Sequence, residues 1–153
     1  MSWSANDFAK LINGGNGVTI LNGDLAAAPI GTATARIQNL EYAMQSTVFE
    51  RCTMLAALYP EYALVFAVPN GQFRPGQRME AGLKPGVPDI FWPVARGGYH
   101  DMFIELKVGR NQLSAEQRAW IDRLEPEGFY CVVIRNDPEV VIAEMEAYRK
   151  LRA

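Results

Sequence analysis

Two strand-forming runs, Met102-Phe-Ile-Glu-Leu-Lys-Val108 and Phe129-Tyr-Cys-Val-Val-Ile134, bracket a segment that opens on Ser114-Ala-Glu-Gln117. No other feature constrains the fold as tightly. The four residues match a capping box, in which the serine side chain accepts from the backbone N–H three residues on and the glutamine reaches back, so the spacing predicts a helix beginning at Ala115. Gln117, Trp120, Ile121 and Leu124 share one face of it, and Pro126 and Gly128 end it. The run after it is apolar without alternation, as in a strand covered on both faces.

Upstream, Ile90-Phe-Trp92 reads as a short strand joined to Met102–Val108 across Pro93–His100, most simply as a hairpin. Tyr62–Val68 reads as another strand, closed by the turn Pro69-Asn70-Gly71. Between Thr34 and Leu58, apolar residues at Ile37, Leu40, Met44, Val48, Cys52 and Leu55 follow a helical period, with Glu41 inside the stripe. Pro138 can start a last helix reaching Arg152. Helix, three strands, helix, strand and helix make an α/β fold, a mixed sheet flanked by helices. Residues 1–35 hold a short amphipathic piece (Phe8, Leu11, Ile12) and then turn-rich sequence, an N-terminal extension of unknown role, leaving residues 36–153 as a single domain. With 49% hydrophobic residues, the chain can bury a core of that size.

No apolar run approaches the roughly 18 residues that cross a bilayer. The N-terminus lacks the basic flank and apolar stretch of a secretion signal, which makes a cytoplasmic protein the expectation. Cys52 and Cys131 lack metal-ligand spacing and read as buried thiols. The net charge of -2 does not exclude a nucleic-acid partner, because from Asn70 to Arg118 seven cations stand against five anions. The glycine- and proline-rich segment Gln72–Pro88 carries Arg74, Arg78 and Lys84 just before Asp89, and with Arg110 these suit contact with DNA phosphates. His100, the single histidine, reads as a structural or solvent-exposed residue of the hairpin loop.

Within Met102–Val108, Glu105 and Lys107 are two apart and share a strand face, while Leu106 turns the other way. Asp89, at the mouth of the adjoining strand, can reach the same spot. Two converging carboxylates repel unless a cation lies between them, and hard oxygen ligands suit Mg²⁺ or Mn²⁺, with the Leu106 carbonyl as a further oxygen. Lys107 can then orient a water or offset charge on a phosphate. Glu41 and Gln117 also occupy positions where core residues belong, so polar side chains from separate elements are expected to share one pocket.

The ordered set Glu41-x-x-x-Gln45, Pro69-Asn-Gly71 with Arg74, Gly86-Val-Pro-Asp89, Phe103-Ile-Glu-Leu-Lys107 and Leu113-Ser-x-x-Gln117 with Trp120 resembles the virus-type replication-repair nuclease (VRR-NUC) domain, a branch of the PD-(D/E)xK nuclease superfamily. The resemblance implies a restriction-endonuclease-like α/β core and Mg²⁺- or Mn²⁺-dependent DNA cleavage, with Asp89 and Glu105 as metal ligands, Lys107 as the catalytic lysine, Glu41 as the helix acid and Gln117 as the polar helix residue. It further implies a homodimer acting on branched DNA such as four-way junctions, in bacterial or phage replication, recombination or repair. Asp101 departs from the pattern, standing where many members look to have glycine. The same residues also accommodate a catalytically inactive DNA-binding module or a restriction-type, sequence-reading nuclease.

Overall fold

A computed structural model describes residues 19–22, 33–69 and 81–152. Among these residues five strands form one sheet: β1 (Thr19–Asn22), β2 (Phe66–Ala67), β3 (Ile90–Trp92), β4 (Met102–Lys107) and β5 (Tyr130–Arg135), in the order β1-β5-β4-β3-β2. β2, β3 and β4 are antiparallel neighbours, whereas β5 lies parallel to both β4 and β1. The sheet is therefore mixed, as the element order predicts, and Ile90 faces Ile104 across the expected hairpin. Helices α1 (Ala33–Leu55), α2 (Ala115–Leu124) and α3 (Pro138–Arg149) complete the fold, with α2 as the crossover between β4 and β5.

Strand alternation divides the side chains between two cores. Ile90, Trp92, Ile104, Leu106, Val132 and Ile134 pack against Met44, Val48 and Cys52 of α1 and Val141, Met145 and Tyr148 of α3. On the opposite face Cys131 and Val133 meet Ile121 of α2, flanked by Phe103, Leu124 and Phe129. β5 is thus covered on both faces, which accounts for its unbroken apolar sequence. Both cysteines are buried free thiols, and burial pushes them up to about 11 for Cys52 and about 12 for Cys131.

Three expectations need correction. Most of Tyr62–Val68 is not strand: Pro60–Leu64 forms a short 3-10 helix, and only Phe66–Ala67 pairs with β3. The cause is tertiary, since Tyr62 is fully buried and stacks on Trp92 at 4.9 Å, while the Trp92 indole N–H donates to the Glu61 carbonyl at 2.7 Å. Thr19–Asn22 adds an edge strand within a stretch read as turns and loops. α3 stops at Arg149, short of Arg152. The amphipathic piece at Phe8, Leu11 and Ile12, the turn residues Asn70 and Gly71, and most of the basic loop lie outside the described residues.

Glu146 ties the 3-10 helix to α3. It accepts from Arg149 through both oxygens at 2.8 Å and from the Tyr62 hydroxyl at 3.2 Å, while the Arg149 guanidinium lies 3.8 Å from the centre of the Tyr59 ring. The Arg149 hydrogen bond holds the Glu146 carboxyl down at about 2, from an ordinary 4.5. A depressed carboxylate stabilises the fold above its unfolded pKa, and that stability is lost as pH falls through the folded value. Urea unfolding across a pH series is expected to show stability declining from about pH 4.5 toward pH 2. Glu146→Gln should cost about 1 kcal/mol at pH 7 and flatten that decline.

Candidate active site

β4 presents Phe103, Glu105 and Lys107 on the face covered by α2, and Ile104 and Leu106 on the face covered by α1 and α3. Glu105 and Lys107 are only 1% and 5% exposed, far too enclosed for a solvated ion pair. Lys107 Nζ lies 2.8 Å from Glu105 Oε1, and the Gln117 side-chain amide donates to that same oxygen. Gln117 is held by the predicted capping box: its backbone N–H donates to Ser114 Oγ at 3.2 Å, and its Oε1 accepts from the Ser114 N–H at 2.9 Å. One side chain thereby caps α2 with its oxygen and reaches the site with its nitrogen.

Asp89 reaches the same face from the residue before β3. Beyond the last ladder pair of β3 and β4, its Oδ2 accepts from the backbone N–H of Leu106 at 2.8 Å. Leu106 thus meets Asp89 through its amide, and its side chain anchors the opposite core. The approach depends on Gly86, whose φ is +82°. A Cβ there would stand 2.7 Å from the Glu116 carbonyl carbon and 2.9 Å from the Gln117 nitrogen. Only glycine lets this loop lie against the first turn of α2, where Trp120 Nε1 also donates to the Pro85 carbonyl at 3.0 Å.

Glu41 enters from α1, and its Oε1 accepts from Asn111 Nδ2 at 3.2 Å. Direct contacts thus join Glu105, Lys107 and Gln117, Asp89 meets the same strand at the Leu106 amide, and Glu41 is linked to the loop after β4 through Asn111. Lys84 and Arg110 are exposed, while Arg74 and Arg78 lie outside the described residues. Sequence reasoning missed Asn111 and Arg135. Both lie in or beside chain that reads as ordinary polar sequence after a strand, and only the register of β4 on β5 places Arg135 opposite Lys107.

Burial first, then the negative charges of Asp89 and Glu41, push the Glu105 carboxyl up to about 8, with Lys107 opposing them only in part. Glu105 Oε2 is buried with no hydrogen-bond partner among the described residues. An ionised carboxylate with an orphaned oxygen beside another carboxylate is costly. A hard divalent cation would relieve both the repulsion and the missing contact, so this pair fits such an ion. Among the described residues no three His, Cys, Asp or Glu side chains are grouped to hold a metal, so remaining ligands would be backbone oxygens or water.

Gly86→Ala should lower stability by about 1–3 kcal/mol, read by thermal unfolding, because the Asp89 loop must lift from α2. An unchanged melting temperature would contradict this account of Gly86.

Comparison with known proteins points the same way. No protein with a curated description matches the chain. The model of the VRR-NUC domain family matches residues 72–138, the segment containing Asp89, Glu105, Lys107 and Gln117. A solved structure described as "VRR_NUC domain protein" is similar at 25% identity, covering 72% of this chain and 88% of its own, with a TM-score of 0.55. By sequence over that segment, and by fold over a larger share of its length, this chain is similar to the VRR-NUC nuclease domain.

Proposed function

We propose that the protein is a Mg²⁺- or Mn²⁺-dependent endodeoxyribonuclease that hydrolyses phosphodiester bonds in branched DNA. The observation that carries this reading is the orphaned, buried oxygen of Glu105 beside Asp89, with Lys107 2.8 Å from the other oxygen. A purely structural ion pair would have no use for an unsatisfied carboxylate oxygen at 1% exposure.

Asp89 and Glu105 would hold the ion, with the Leu106 carbonyl as a candidate third oxygen. A bound divalent ion supplies Lewis acidity at the phosphate and lowers the pKa of the attacking water. Lys107, fixed by Glu105, orients that water or offsets charge developing on the phosphate oxygens. Gln117 keeps Glu105 in its rotamer, and Glu41 adds negative charge that favours a cation in the pocket. The exposed Lys84 and Arg110, together with Arg74 and Arg78, would contact DNA phosphates.

Branched DNA, four-way junctions in particular, is proposed on the family likeness, as is a role in bacterial or phage replication, recombination or repair in the cytoplasm. A symmetric homodimer would present two sites to two strands, as paired nicking requires. None of the helices among the described residues is long and apolar enough to cross a membrane.

The test is a panel of labelled duplex, flap, splayed and four-way-junction DNAs incubated with Mg²⁺ or Mn²⁺. Two symmetric nicks in the junction are expected. Asp89→Asn, which retains an acceptor for the Leu106 N–H, and Lys107→Ala should each slow cleavage by about 10²–10⁴-fold while the protein still unfolds cooperatively. Metal-independent DNA binding without cleavage by the unaltered protein would instead favour an inactive binding module.

Ion binding should also follow the Glu105 proton. A carboxyl raised to about 8 is protonated at neutral pH and must lose that proton to act as a ligand. Mn²⁺ affinity is therefore expected to rise about tenfold per pH unit below pH 8 and to level off above it. Calorimetry in buffers of different ionisation enthalpy should find close to one proton released per ion at pH 7. A flat pH dependence would remove Glu105 from the ligand set.

A further inference from the structure

Arg135 closes β5 and is 7% exposed, on the face and in the register position beside Lys107. Its guanidinium has no carboxylate partner among the described residues; it donates through Nη1 to the Asn111 carbonyl and through Nη2 to Gln112 Oε1 at 3.4 Å. Enclosing a guanidinium without a counter-charge is costly, so a well-satisfied hydrogen-bond geometry has to offset it. The next residue holds the other end of the same loop. Asn136 adopts a left-handed φ of 66°, its backbone N–H donates to the Lys107 carbonyl at 2.9 Å, and its Oδ1 accepts from the Gly109 N–H. The loop gripped in this way carries Asn111, whose side-chain amide donates to Glu41 Oε1 at 3.2 Å.

We propose that Arg135 and Asn136 form a clamp that fixes the loop from Gly109 to Gln112, and that Arg135 acts through Asn111 to set where Glu41 stands relative to Glu105. Arg135 is then a positioning residue, not a group that meets DNA. The planar fork of arginine holds two acceptors on adjacent residues at once, a task a lysine ammonium does poorly. Asn111 has a dual role: its backbone is the clamp's target and its side chain is the link to α1. The inference rests on the proposed nuclease site for its kinetic consequences, whereas the linkage itself can be read in the protein without metal or DNA.

Two variants test it. Arg135→Lys keeps the charge but loses the fork, and Asn111→Ala, on a partly exposed loop, keeps the carbonyl that Arg135 grips and removes only the link to Glu41. Each is expected to lower kcat on a cleaved DNA by about 10–100-fold with KM changed less than twofold. On a Glu41→Gln background, neither should add a further loss, since residues in one chain of contacts are non-additive. In metal-free ¹⁵N-labelled protein, the Asn111 side-chain amide signals should shift in both Arg135→Lys and Glu41→Gln.

Full additivity with Glu41→Gln, or a raised KM at unchanged kcat, would overturn the proposal and make Arg135 a direct phosphate contact. Asn111 signals unmoved by Arg135→Lys would overturn it as well. If the unaltered protein cleaves no DNA, the nuclease reading fails on its own, and the Asn111 signals still decide the clamp. Should Arg135→Lys fail to fold, Asn111→Ala carries the kinetic test, and a kcat equal to that of the unaltered protein sinks the link to Glu41.

Discussion

A carboxylate enclosed within a sheet is the constraint around which this molecule is arranged. Glu105 is 1% exposed, with burial and two neighbouring acids all opposing its ionisation. Such a group is tolerated only where donors are brought to it, and three elements contribute to its surroundings. Lys107 comes from the same strand face, Gln117 from the helix above it, and Asp89 from the end of the adjoining strand. One Glu105 oxygen is satisfied twice while the other has no partner among the described residues, an asymmetry that a fully structural role does not explain.

The placement of α2 follows from this arrangement. Its capping box satisfies the orphan N–H groups of its first turn, and the residue that closes the box also donates to Glu105. Helix start and site geometry therefore cannot be adjusted separately. Gly86 extends the coupling to the loop before Asp89, because any side chain there would meet the backbone at Glu116 and Gln117. On the far side, the end of β5 grips the loop after β4, and that loop holds Glu41 of α1. The supporting contacts are short-range hydrogen bonds on central strands, which holds the polar groups more firmly than loops alone could.

Local signals in the chain were the most legible. The capping box at Ser114, the apolar run of β5 and the alternation around Glu105 each depend on residues within one element, and each appears in the structure where the spacing placed it. The hairpin of β3 and β4 was legible for the same reason. Tyr62–Val68 misled because β-forming aromatic residues were counted as strand, when the stacking of Tyr62 on Trp92 and its bond to Glu146 favour a 3-10 turn. Thr19–Asn22 was illegible because an edge strand of four residues exists only through its partner β5.

The sequence by itself determined the chemistry on offer: an acid before β3, an acid and a lysine two apart on β4, and a helix that begins beside them. Period-two alternation and capping are short-range effects, so they can be read from neighbours in the chain. Only the tertiary structure decided that Gln117 and Lys107 share one Glu105 oxygen, that the other is orphaned, and that Arg135 lies opposite Lys107. Those facts depend on strand register and on which helix covers which face, contacts between residues far apart in the chain whose geometry no local pattern encodes.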